Sequence, residues 1–172
     1  MLKELGIVFE VINNVEVEET YPDDLDRKQI PVYLAEKKAR AFEGLLDENT
    51  LIISADTIVW SDNKVYNKPA GRDEAINMLQ ELSGRKHQVI SGVCLLSINK
   101  KISFNSLTTV CFRELDAEEI IYYVDKFKPF DKAGSYGIQE WIGYVGIESI
   151  KGSFFNVMGL PVNKLYKELV DF

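Results

Sequence analysis

The sequence predicts an α/β or α+β protein built on one central mixed β-sheet flanked by helices. Segments with helical apolar spacing alternate with short β-branched runs, and tight-turn signals join some of those runs into hairpins. The chain has 172 residues, 46% of them hydrophobic, which is ample for a packed core. With no repeats or low-complexity linkers, residues 1–172 read as a single domain, or as two small lobes sharing a sheet.

Met1 to Gly6 has the pattern of a last helical turn, with Leu2 and Leu5 on one face and Gly6 as a C-cap. Ile7 to Ile12 has strand composition, and the acidic stretch Glu16 to Asp26 reads as a surface loop. Pro31 opens a helix whose stripe of Val32, Leu34, Ala35, Ala39 and Phe42 ends near Gly44, with Lys37 and Lys38 mid-helix. Leu51 to Trp60 reads as a strand buried on both faces and interrupted by Asp56; a turn follows at Ser61 to Lys64, and Asn67-Lys68-Pro69 forms a loop. The next helix is expected to be capped by Asp73, to bury Ala75, Ile76, Leu79 and Leu82, and to stop at Gly84. His87 to Ile98 and Ile102 to Phe112 form an expected antiparallel hairpin. Asp116 with Glu119 makes a capping box for a helix through Ile120, Ile121, Tyr123, Val124 and Phe127 that Pro129 terminates. Phe130 to Gln139 is loop-like, Trp141 to Ile150 strand-like, and Pro161 starts a C-terminal helix ending near Val170.

Twenty Lys and Arg against 27 Asp and Glu give a formal charge of −7, which argues against broad attraction to nucleic acid or to an anionic membrane. An anionic ligand therefore needs a local site. Cys94 and Cys111 lie in apolar stretches without CxxC spacing, so neither a disulfide framework nor a zinc site is expected. The apolar runs are far shorter than the roughly 20 residues of a membrane helix. There is no signal-peptide pattern, and the expected location is cytoplasmic.

Asp56, directly after an apolar run, belongs at a strand end facing a metal or a water, or else bonds nearby backbone amides. Lys68 before Pro69, and Lys38, offer cations for a phosphate chain; the alternative for each is a solvated charge. Glu16, Glu18 and Glu19 offer hard oxygen ligands for Mg²⁺ or form a solvated loop. Asp131 to Glu140 concentrates two glycines with Lys132, Gln139 and two carboxylates, suited to a phosphate or a base, or to a plain turn. His87 is the lone histidine, so no histidine relay or two-histidine metal site can form, and it reads as structural.

In Leu5 to Val11, Glu19-Thr20-Tyr21-Pro22, Lys38-Ala39, Ala55-Asp56-Thr57-Ile58-Val59, Lys68-Pro69, Leu82 to Val89, Asp131 to Gln139 and Gly159-Leu160-Pro161, the chain resembles the Maf family of nucleotide pyrophosphatases, within the inosine-triphosphatase-like superfamily. The resemblance implies two lobes with a nucleotide cleft, Asp56 as proton acceptor or metal-associated base, and Glu19, Lys38, Lys68 and Gln139 as further active-site residues. It implies Thr57 and Gln139 in base choice, and the Ala-Asp-Thr sequence resembles the branch acting on dTTP and UTP. A nucleoside triphosphate would be split to monophosphate and pyrophosphate, with Mg²⁺ or Mn²⁺ bound through Asp56 and Glu19, and Lys132 assisting at the substrate. Homodimers are common in such a family.

The family's opening strand and Ser-x-Ser-Pro-Arg-Arg loop have no counterpart here, so the resemblance implies an N-terminal strand and loop missing and a sheet position left empty. The alternative this raises is a catalytically impaired nucleotide-binding regulator linked to cell division. A phosphomonoesterase with Asp56 as nucleophile is a third reading, without its usual Asp-x-Asp-x-Thr pattern.

Overall fold

The computed structural model describes every residue except Asn13, Asn14 and Glu16, so the expectation of Glu16 as an oxygen ligand lies outside the described residues. The elements are α1 (Ile30–Arg40), β1 (Ile52–Ser61), β2 (Lys64–Tyr66), α2 (Arg72–Leu82), β3 (Lys86–Leu96), β4 (Lys101–Phe112), α3 (Ala117–Phe127), α4 (Trp141–Gly146), β5 (Ile147–Lys151), α5 (Phe154–Val157) and α6 (Val162–Val170). The five strands form one open antiparallel sheet in the order β2-β1-β3-β4-β5, an α+β arrangement. The chain divides into two compact units, with β1, β3 and β4 each contributing residues to both.

The first unit comprises Met1–Asp56, Ser91–Ser106 and Gly159–Phe172. Successive strand residues face opposite sides, so β3 feeds two cores. Cys94 and Leu96 pack with Ala35 and Ala39 of α1, whereas Val93 and Leu95 pack with Phe104 and with Leu165 of α6. Gly92 lies on the α1 side, and a Cβ there would fall 2.2 Å from the Pro31 carbonyl carbon. Only glycine lets the start of α1 rest directly on the strand. The opening residues make a 3-10 turn, Lys3–Leu5, closed by Gly6 at φ 72°.

The second unit comprises Thr57–Ile90 and Leu107–Met158. Its core joins Val59, Val89, Val110 and Phe112 of the sheet to Ala75, Leu79 and Leu82 of α2 and to Ile120, Tyr123 and Val124 of α3. β1 and β2 are joined by Asp62 and Asn63, both at positive φ (49° and 61°), the two-residue turn that matches the twist of a hairpin. The capping box closes α3 as expected, the Asp116 N–H donating to Glu119 Oε2 at 2.9 Å.

Several expectations fail for local reasons. Ile7 to Ile12 is no strand: Val8 is fully exposed, and strand composition without a ladder partner has no surface to pack on. The first helix ends at Arg40, and Phe42 leads into a 3-10 turn, Glu43–Leu45. Gly71 rather than Asp73 is the N-cap of α2, and Asp73 sits in its first turn, where its charge suits the helix dipole. Trp141 to Ile150 splits into α4 and β5, because Gly143 lets the helix fold onto the preceding loop; a Cβ there would sit 1.8 Å from the Ile138 carbonyl oxygen. β1 is continuous through Asp56, so that carboxylate is mid-strand, not at a strand end.

Candidate active site

In the first unit, Ser54 and Asp56 are two residues apart on β1 and so project from one face, the face α1 covers. Ser54 Oγ donates to the Ala35 carbonyl at 2.6 Å. Lys38 lies three residues beyond Ala35 on the same side of α1, which brings its ammonium over Asp56. Lys38 Nζ donates to Asp56 Oδ1 and, at 2.9 Å, to Glu19 Oε1. The neighbouring Lys37 donates to Thr20 Oγ1 at 2.9 Å and to the Thr20 carbonyl at 3.3 Å, tethering the loop that carries Glu19. Burial presses the Lys38 pKa down, but the hydrogen-bonded Asp56 carboxylate and then Glu19 outweigh it, and it stands above the ordinary lysine value. The sequence-predicted Asp56, Lys38 and Glu19 are thus assembled, while Glu18 is exposed.

Asp56 and Glu19 are hard oxygen donors of the kind a divalent cation selects, and both are bonded to the Lys38 ammonium. Among the described residues no cluster of three or more metal-type ligands exists, and a metal at Asp56 and Glu19 would take its remaining ligands from water and substrate oxygen.

In the second unit, Lys68 follows β2 in the Asn67-Lys68-Pro69 loop, and the Gly134 N–H donates to the Asn67 carbonyl at 3.2 Å. Gly134 is at φ 68°, and a Cβ there would strike Val59 at 2.9 Å, so glycine is what lets the 131–140 loop close down on β1. Lys132 Nζ lies 2.8 Å from Asp131 Oδ1 and 3.2 Å from Glu140 Oε1. Burial lowers the Lys132 pKa, and its bonds to Asp131 and Glu140 more than restore it. The hydrogen bond and charge of Lys132, opposed by partial burial, hold the Asp131 carboxyl below its usual range, with the more distant Lys68 adding least. Gln139 is exposed at the end of this loop, and Thr57 is half-buried on the face of β1 opposite Asp56.

His87 is structural: it is 2% exposed, its Nε2 meets Tyr136 Oη at 2.7 Å, and its ring packs edge-on against Phe112 and Tyr136. Burial pushes its pKa down to about 4. Cys94 and Cys111 form no disulfide, and among the described residues no helix is long and apolar enough to cross a membrane. Sequence reasoning missed Ser54, Lys37, Thr20 and Tyr123. Of these, only Ser54 carried a local signal, its two-residue offset from Asp56.

The chain is an α+β protein with two carboxylates paired to one lysine and a second lysine on a glycine-rich loop, and it is a member of the Maf-like protein family, which it matches over residues 1–172. It is 53% identical over its whole length to a dTTP/UTP pyrophosphatase of Parabacteroides distasonis, covering 89% of that protein. A dTTP/UTP pyrophosphatase of Phocaeicola vulgatus is 54% identical over 98% of the chain and 88% of the relative, and one of Flavobacterium psychrophilum 48% identical over 98% and 86%.

Proposed function

We propose that this chain is a nucleoside triphosphate pyrophosphatase that hydrolyses dTTP and UTP to the monophosphate and pyrophosphate in the cytoplasm. The convergence of Asp56 and Glu19 on Lys38 carries the reading: it supplies a base and a cation side by side in a chain about half identical, end to end, to relatives of that name. Asp56 orients the attacking water and accepts its proton as the oxygen adds to the α-phosphorus. The bond from that phosphorus to the bridging oxygen breaks, and pyrophosphate leaves with the electron pair. Lys38, Lys68 and Lys132 offset the charge of the phosphate chain, as a protein of net charge −7 requires. Mg²⁺ or Mn²⁺, held by Asp56 and Glu19, supplies electrophilic activation of the phosphate when bound. Gln139 and Thr57 contact the pyrimidine.

The test is pyrophosphate release by the purified protein from dTTP, UTP and the purine triphosphates, with Mg²⁺, with Mn²⁺ and with a chelator. The expected result is metal-dependent release from the two pyrimidine nucleotides. Binding without release under every metal condition would sink the enzyme reading.

A further inference from the structure

We propose that Tyr123 and Glu140 form a clamp that positions the 131–140 loop and its Lys132 for the phosphate chain, an inference that rests on the pyrophosphatase reading. Tyr123 is fully buried on the inner stripe of α3, its ring stacked on Phe127 at 5.2 Å. Its hydroxyl donates to Glu140 Oε2 and accepts the Gly137 N–H at 3.0 Å. The other oxygen of Glu140 faces Lys132 Nζ at 3.2 Å. One carboxylate therefore joins a buried phenol to the lysine ammonium, each oxygen serving one partner. Gly137 completes the fit, since a Cβ there would lie 2.9 Å from Glu140 Cδ.

The loop held in this way is not a relaxed one. Ser135, fully buried, takes φ 61°, a left-handed conformation that a non-glycine residue keeps only where its surroundings impose it. The Glu140 carboxylate is largely covered and the Tyr123 phenol fully so, and polar groups drawn out of water in this way are a weak source of stability because desolvation offsets what their bonds gain. What the polar pair adds is direction: the backbone next to Gln139 and the Lys132 ammonium are both referred to one fixed hydroxyl. Tyr123 and Glu140 are positioning residues, not catalytic ones.

Tyr123→Phe keeps the ring and removes only the hydroxyl, while Glu140→Gln keeps an acceptor for the phenol and removes the charge beside Lys132. Steady-state pyrophosphate release from UTP and dTTP, with melting curves on the same samples, reads both. Expected for Tyr123→Phe is a KM about tenfold higher with kcat within about threefold of the wild type and a melting temperature nearly unchanged. The double variant should be no worse than the worse single one, since both act through one loop. A KM within twofold of the wild type in either single variant overturns the clamp. So do losses that simply track melting temperature, and so do fully additive effects in the double variant. A wild-type protein that turns over normally beside unaffected variants overturns the clamp alone, whereas an inert wild-type protein overturns the pyrophosphatase reading and the clamp with it.

Discussion

Removing Lys38 should damage the fold more than neutralising Asp56 does, although Asp56 carries the proposed chemistry. Lys38→Met leaves the Asp56 carboxylate, whose side chain is 9% exposed, without its ammonium. Breaking a buried ion pair from one side costs about 3–5 kcal/mol. Lys38 is itself about a quarter exposed and Glu19 can rehydrate, so solvent screening brings the cost below that range, to about 2–3 kcal/mol. For a domain of this size each kcal/mol moves the melting temperature by roughly 2–4 °C, which gives a fall of about 4–12 °C. Asp56→Asn keeps the shape and leaves Lys38 bonded to Glu19, a loss of about 1 kcal/mol. Its turnover should nevertheless fall about 10²–10⁴-fold, the range of a lost general base. The decisive protein is the double variant Lys38→Met/Asp56→Asn, which should melt above Lys38→Met alone because the buried charge that lost its ammonium is gone. Melting by circular dichroism at neutral pH, beside pyrophosphate release, measures all four proteins. A double variant less stable than Lys38→Met would refute the reasoning, and so would a Lys38→Met protein melting with the wild type.

His87 makes stability depend on acidity. Its folded pKa of about 4 lies below the ordinary value of 6.5, so the unfolded chain binds the extra proton first, and stability falls as pH drops through that window, by about 3 kcal/mol in total. Urea midpoints at pH 7, 5.5 and 4 should decline in the wild type and flatten in His87→Gln; parallel curves would remove His87 as the cause. Gly92→Ala should fail to fold or lose several kcal/mol, roughly the upper range for overpacking, because the obstructing atoms are α1 backbone and cannot turn aside. A soluble Gly92→Ala protein with wild-type melting would show that α1 can lift from β3.

What the sequence made legible is what local chemistry decides. The Asp116–Glu119 capping box, the Asp62-Asn63 turn and the C-terminal helix after Pro161 each depend on residues a few positions apart, and each stands in the structure as read. The failures share a different cause. Trp141 to Ile150 has strand composition throughout, yet Gly143 meeting Ile138 turns its first half into a helix, a contact that composition does not encode. Ile7 to Ile12 has the side chains of a strand and no ladder to join. For the site, Asp56, Lys38 and Glu19 were visible as residue types, and their meeting was not: it depends on the long-range Ser54–Ala35 bond and on Gly92 seating α1. Tyr123 was hidden because an apolar helical stripe gives no sign of where a hydroxyl at its edge will point.

The two lysine sites solve the same electrostatic problem in the same way. A chain of net charge −7 that handles a polyphosphate must keep its site cations aimed without letting its own carboxylates quench them. Lys38 has one well-covered partner, Asp56 at 9% exposure, and one open partner, Glu19 at 41%. Lys132 repeats the arrangement with Glu140 at 20% and Asp131 at 77%. Water screens the open partner and holds it loosely, so in the proposed function an incoming phosphate oxygen would compete with that carboxylate first. The covered partner stays bonded and keeps the ammonium in place, since releasing it would strand a charge away from water. In the proposed pyrophosphatase each lysine would thereby be held from below and exchangeable from above, a way for an acidic protein to present fixed positive charge to an anionic substrate.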